Sequence, residues 1–147
     1  MNTIKHVVFL TLCGLAANAS ANDDSAAAAK PQCEANYTQE GGFIAGRTFN
    51  TWGDVDVPAN TAYKRVYAGM MKSGLKIASS DKELGMLTGE QHVTVQGKPT
   101  SLPLNVIVEE AGAGAKITVT KTTPSGYATS REFQVQSLCA VIGFAAG

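Results

Sequence analysis

The stretch Leu102-Pro103-Leu104-Asn105-Val106-Ile107-Val108-Glu109, the break Ala111-Gly112-Ala113-Gly114 and the return Lys116-Ile117-Thr118-Val119-Thr120-Lys121 decide the fold class of this chain. The first segment is rich in Leu, Val and Ile, and the second alternates strictly with β-branched residues. Residues two apart share one face of a strand, so the pattern predicts an antiparallel hairpin. Upstream, Gln96-Gly97-Lys98-Pro99-Thr100-Ser101 predicts a connection with Gly97 and Pro99 as breakers. Met86 to Val95 predicts a further strand with Val93 and Val95 on one face, Asp81-Lys82-Glu83-Leu84-Gly85 a turn, and Leu75 to Ser79 a short strand.

Ahead of these strands, Ala62, Tyr63, Val66, Tyr67, Met70 and Met71 recur at three- and four-residue intervals. With Pro58 and Asn60 or Thr61 as a start, Lys72 in the last turn and Gly74 as a stop, they predict an amphipathic helix. A first strand is expected within 42–52, with Phe43, Ala45, Phe49 and Trp52 buried and Gly46 marking a bulge or close approach. At the other end, Thr129 or Ser130 suits a helix cap, and Phe133, Ser137, Ala140, Val141 and Phe144 share a helical face. Alternation of Phe133, Val135 and Ser137 also permits a strand. A run over 130–144 without a turn signal is long for one, so helix is the expectation.

The expected order is β-α-β-β-β-β-α. Short connections between the later strands demand antiparallel pairing, while the first helix can supply a crossover. The fold class is therefore α+β, a two-layer sandwich of four to five antiparallel strands with two helices on one face.

Three motifs carry a resemblance. Ala62-Tyr63-Lys64-Arg65-Val66-Tyr67, then Gly74-Leu75-Lys76-Ile77, then Asp81 through Gly85-Met86-Leu87-Thr88 resemble small exported bacterial modules of helix-grip type. In these, a helix leads through a Gly-x-x-Ile step into a strand, which ends in a turn. They include the repeated domains of an outer-membrane assembly lipoprotein and uncharacterised lipoproteins. The resemblance covers 62–88 and implies a non-enzymatic envelope protein. The chain departs from the lipoproteins in lacking a convincing lipid-attachment cysteine.

Residues 1–21 have the layout of a cleavable export signal. Lys5 supplies a positive start, Val7 through Ala17 an apolar stretch, and Ala19-Ser20-Ala21 a small-x-small cleavage site. The apolar run is shorter than the roughly 20 residues of a spanning helix. Cys13 opens the alternative of a lipoprotein signal, although Leu12 stands where a lipid box wants a small residue. Cleavage near Ala21 predicts a periplasmic or secreted protein with a flexible leader over 22–32, low in bulky apolar groups, and one α+β domain over 33–147. No transmembrane segment is expected after cleavage.

Losing Lys5 from a chain of 12 basic and 12 acidic side chains leaves a single net negative charge, which argues against a nucleic-acid partner. Losing Cys13 leaves Cys33 and Cys139, and an even pair in an oxidising compartment is most simply a disulfide. A redox or nucleophilic cysteine would need a Cys-x-x-Cys pair or a basic partner, and neither is present in the sequence.

Catalytic signals are sparse. His92 alone survives cleavage, so a histidine-rich zinc site cannot be built and no metal or cofactor is expected. Asp54 with Asp56 and Glu109 with Glu110 lack a cation-binding loop, and no serine sits in a Gly-x-Ser-x-Gly turn. Trp52, Tyr63, Tyr67, Tyr127 and Phe133 are candidates to line a groove between sheet and helix. The expected function is an exported, non-enzymatic bacterial envelope protein binding a protein or peptide through a sheet edge or that groove. The alternatives are an inhibitor or immunity protein of an envelope enzyme, and a small hydrolase using His92.

Overall fold

The computed structural model describes residues 31–147; the expected signal (1–21) and the leader up to residue 30 lie outside the described residues. In chain order the elements are α1 (Gln32–Ala35), β1 (Thr38–Gly42), β2 (Gly46–Val55), α2 (Ala59–Lys72), β3 (Lys76–Asp81), β4 (Met86–Val95), β5 (Lys98–Ala111), β6 (Gly114–Thr123) and α3 (Arg131–Ala146). The strands form one six-stranded antiparallel sheet in the order β1-β2-β6-β5-β4-β3. The α+β class and the one-sided helices agree with expectation. The sheet has six strands rather than four to five, and a short third helix precedes it.

The extra strand arises because the single strand expected in 42–52 is a hairpin, with Thr38↔Asn50 and Gly42↔Gly46 paired. Its turn is Phe43-Ile44-Ala45, so Phe43 and Ala45, expected in the core, stand out into solvent together with Ile44. Helix α2 then carries the chain across the sheet, from β2 to the far edge at β3. The two strands run the same way but are separated by three others.

The central hairpin is as expected, running from Leu104↔Lys121 to Ala111↔Gly114. The connection before it is shorter than expected. Gln96 and Gly97 alone make the turn, both with positive φ (50° and 77°), the conformation that two-residue hairpins require. Pro99 is therefore inside β5, opposite Thr94, and Pro103 lies opposite Glu90. Both fall before Leu104, where pairing with β6 begins, so the missing N–H faces an open side.

Helix α2 ends as its glycine predicts. Gly74 has φ +86°, its N–H donates to the Met71 carbonyl, and the Leu75 N–H reaches back to Met70. Met71, expected on the buried face, is exposed. The last segment is helical, and Ser130 caps it by accepting from the Phe133 N–H at 3.1 Å. Its buried face differs from expectation: Gln134, Val135, Leu138, Val141, Ile142 and Ala145 face the core, while Phe133 and Ala140 are exposed. At the opposite end the Arg65 Nη1 donates to the Ala145 and Ala146 carbonyls, both at 3.0 Å, fastening α2 to the end of α3.

The core lies between the inner sheet face and α2 and α3. Phe49, Val66, Met70, Leu87, Val106, Ile117, Val119 and Leu138 are buried there, each stabilising by about 1.5–3 kcal/mol. Cys33 and Cys139 form a disulfide, Cα to Cα 5.7 Å, that pins α1 to α3 across 106 residues. The pinned α1 also serves the sheet. Past the end of β1, Asn36 Nδ2 donates to the Trp52 carbonyl at 3.1 Å, and the Asp54 N–H donates to Gln32 Oε1 at 2.6 Å. Two side-chain amides thus take the place of a strand along the outer edge of β2.

Candidate functional site

The inner sheet face changes character along its length. One row across the strands is Gly53, Ile117 and Val108, and the next is Thr51, Val119, Val106 and Leu87. The row after that is Phe49, Lys121, Leu104 and Gly89, in which a lysine replaces an aliphatic side chain. Beyond it come Arg47 and Thr123. The strict alternation of β6 places Lys121 on the same face as Ile117 and Val119, which is why it is buried.

Lys121 is only 2% exposed. Its Nζ donates to Gln91 Oε1 at 2.9 Å, its one hydrogen-bond partner among the described residues. An ammonium has three donors, so two remain unspent. Burial pushes its pKa below the ordinary lysine value. Lys121 lines a cavity of about 210 Å³ together with Ser73, Leu75, Gln91, Leu104, Ser137, Ala140, Val141 and Phe144. The opening lies between the turn after α2 and the middle of α3. Ser73 Oγ donates to the Met70 carbonyl and Ser137 Oγ to the Gln134 carbonyl, which leaves both hydroxyl oxygens able to accept.

Two larger clefts lack such a group. One, of about 430 Å³, lies beside Tyr63 and the 82–85 turn, and another, of about 530 Å³, runs between α2 and α3 on their outer side. Neither contains a buried charge. Ser73 and Phe144 line both the second cleft and the Lys121 cavity, and Phe144 packs against Gly69, where a Cβ would overlap its Cβ and ring.

A second polar cluster closes the same end of the sandwich. Tyr37 stacks on Phe49 with ring centroids 6.3 Å apart, Arg131 lies 5.1 Å over Tyr37, and Arg47 lies 5.9 Å over Phe49. The Tyr37 hydroxyl and Gln134 Oε1 are buried without hydrogen-bond partners among the described residues. Burial raises the Tyr37 pKa, and the cations of Arg131 and Arg47 oppose that rise.

The five aromatic residues expected in one groove do not share one. Trp52 is on the uncovered sheet face, where the Lys116 ammonium sits 4.5 Å from its ring centroid. Its even position on β2, between inward-facing Thr51 and Gly53, accounts for this. Tyr63 and Tyr67 pack on α2 against the core, and Tyr127 lies in the loop before α3, its carbonyl accepting from Arg47 Nη2 at 2.9 Å. Phe133 is half exposed. His92 is exposed on the uncovered face opposite Ser101. Among the described residues, no three His, Cys, Asp or Glu side chains gather as a metal site, and no helix is long and apolar enough to cross a membrane.

No protein-family model matches the chain, and no curated protein matches it. Solved structures give distant similarities. Ara h 8.0201 is 14% identical, with a TM-score of 0.43 over 70% of this chain and 97% of its own. A conserved protein of unknown function from Enterococcus faecalis is 11% identical, with a TM-score of 0.48 over 77% and 78%. CalU16 from Micromonospora echinospora is 11% identical, with a TM-score of 0.43 over 76% and 85%. These similarities go no further than the α+β layout.

Proposed function

We propose that this is an exported, non-catalytic bacterial envelope protein that binds a peptide or protein partner in the opening between α2, α3 and the sheet. The observation that carries the reading is the buried ammonium of Lys121, held at the wall of an accessible cavity by a single neutral partner. Retaining a desolvated charge is costly unless something pairs with it. The other expected route, strand addition at a sheet edge, is poorly served. The part of β2 that extends beyond β1 is occupied by the Gln32 and Asn36 amides, the edge strand β1 is only five residues long and ends in Gly41-Gly42, and the other edge strand, β3, is interrupted by a register shift between Ile77 and Ser79. The disulfide suits an oxidising compartment, and the resemblance over 62–88 to envelope modules adds to the same reading.

Site-specific photo-crosslinking tests it. A photoreactive residue at Ser73 or Ala140, beside the opening, is expected to give a defined adduct in the native envelope, whereas one at Thr94 on the uncovered face gives none. No adduct, or equal adducts at all three positions, overturns the reading.

A further inference from the structure

We propose that Lys121 anchors the C-terminal carboxylate of a partner chain whose last residue has a short apolar side chain. This rests on reading the helix–sheet opening as the binding site. Charge complementarity selects the head group. The Lys121 ammonium is 2% exposed and, among the described residues, its one hydrogen-bond partner is the neutral Gln91, so an arriving carboxylate does not compete with a carboxylate of the described residues for its donors. The walls select the side chain next to the carboxylate, because Leu75, Leu104, Val141 and Phe144 are apolar.

Size selects entry by one end. Sites that enclose a whole small molecule are roughly 300–1,000 Å³, whereas this cavity is about 210 Å³. Ser137 distinguishes a peptide terminus from a simple acid. Its hydroxyl already donates to the Gln134 carbonyl, so its oxygen is free to accept the N–H of a terminal residue, a group that a free alkyl acid lacks.

The test titrates three probes into the disulfide-bonded protein: acetyl-Ala-Ala-Val with a free carboxylate, the same peptide as its C-terminal amide, and pentanoate. NMR monitors Lys121 Nζ and the Leu104 and Val141 methyl groups. The free-carboxylate peptide is expected to shift all three signals saturably. The amide is expected to bind about tenfold more weakly, as is the free peptide to Lys121→Met. Ser137→Ala, which leaves the charge in place, is expected to weaken the peptide severalfold and pentanoate not at all. Equal affinity for acid and amide, or unchanged affinity in Lys121→Met, overturns the proposal. Pentanoate binding as tightly as the peptide also overturns it, assigning the cavity to free acids. Cross-links from Ser73 and Ala140 that persist in Lys121→Met would leave the opening as a binding site while removing the carboxylate anchor. Their absence in the unaltered protein would remove both.

Discussion

Phe144 of α3 lies against the bare Cα of Gly69 on α2, and this contact sets how closely the two helices approach over the sheet. Alanine at 69 would gain about 1 kcal/mol of helix propensity but would collide with the Phe144 Cβ and ring. Gly69→Ala is therefore expected to lower stability by about 1–3 kcal/mol in urea unfolding. In a Phe144→Ala background the ring is gone but the Cβ at residue 144 remains, so the same substitution should cost less while still destabilising, a coupling that a double-mutant cycle measures.

Lys121 makes stability depend on pH in a defined direction. Burial lowers its folded pKa from the ordinary 10.5, so between the two values the unfolded chain holds a proton that the folded chain has released. Stability attributable to this side chain rises with pH through that window, and its full cost is present below it. Lys121→Met is expected to be more stable by about 1–2 kcal/mol at neutral pH, with the advantage shrinking as pH approaches 10.5. Chemical denaturation at a series of pH values reads both effects.

Tyr37 acts in the opposite sense. Its folded pKa is raised above the ordinary 10.0, so above that value the unfolded chain loses its proton first and stability falls. Tyr37→Phe removes an unpartnered buried hydroxyl and is expected to be neutral or stabilising by about 1 kcal/mol. Compared in the Lys121→Met background, where the lysine contributes no slope, the phenylalanine variant should lose less stability above pH 10.0.

The bridge between Cys33 and Cys139 closes a loop of 106 residues, for which loss of unfolded-state entropy gives about 4–5 kcal/mol. Unfolding of the oxidised protein and of Cys33→Ala/Cys139→Ala, compared under identical conditions, is expected to differ by that order.

The later strands and α2 are legible in the sequence because their periodicities are clean and their stops are chemical, Gly74 and Gly85 at positive φ and Asp81 at a turn, while α3 is legible from its Ser130 cap and its length without a turn signal. The first hairpin is not, because Phe43-Ile44-Ala45 is an apolar turn and reads as part of a strand. The buried face of α3 is hidden because Ala140, Val141, Ile142, Phe144 and Ala145 are apolar on every side, so the pattern has no phase. The aromatic groove fails on parity, since Trp52 is one residue off the buried set of β2. Lys121 is detectable. Alternation from Ile117 through Val119 leads directly to it, and a lysine in phase with a buried face is a signal that no catalytic or metal-binding motif contains.

The amides of Gln32 and Asn36 have a consequence for the chain's behaviour among other chains. They occupy hydrogen-bonding positions that would otherwise template a foreign strand, and they are held there by a covalent tie to α3. Reducing the bridge would free the segment that seals the sheet's border as well as enlarge the unfolded ensemble. In a thiol-rich compartment the same polypeptide would expose the main-chain groups of Trp52 and Asp54 as an added margin for strand pairing.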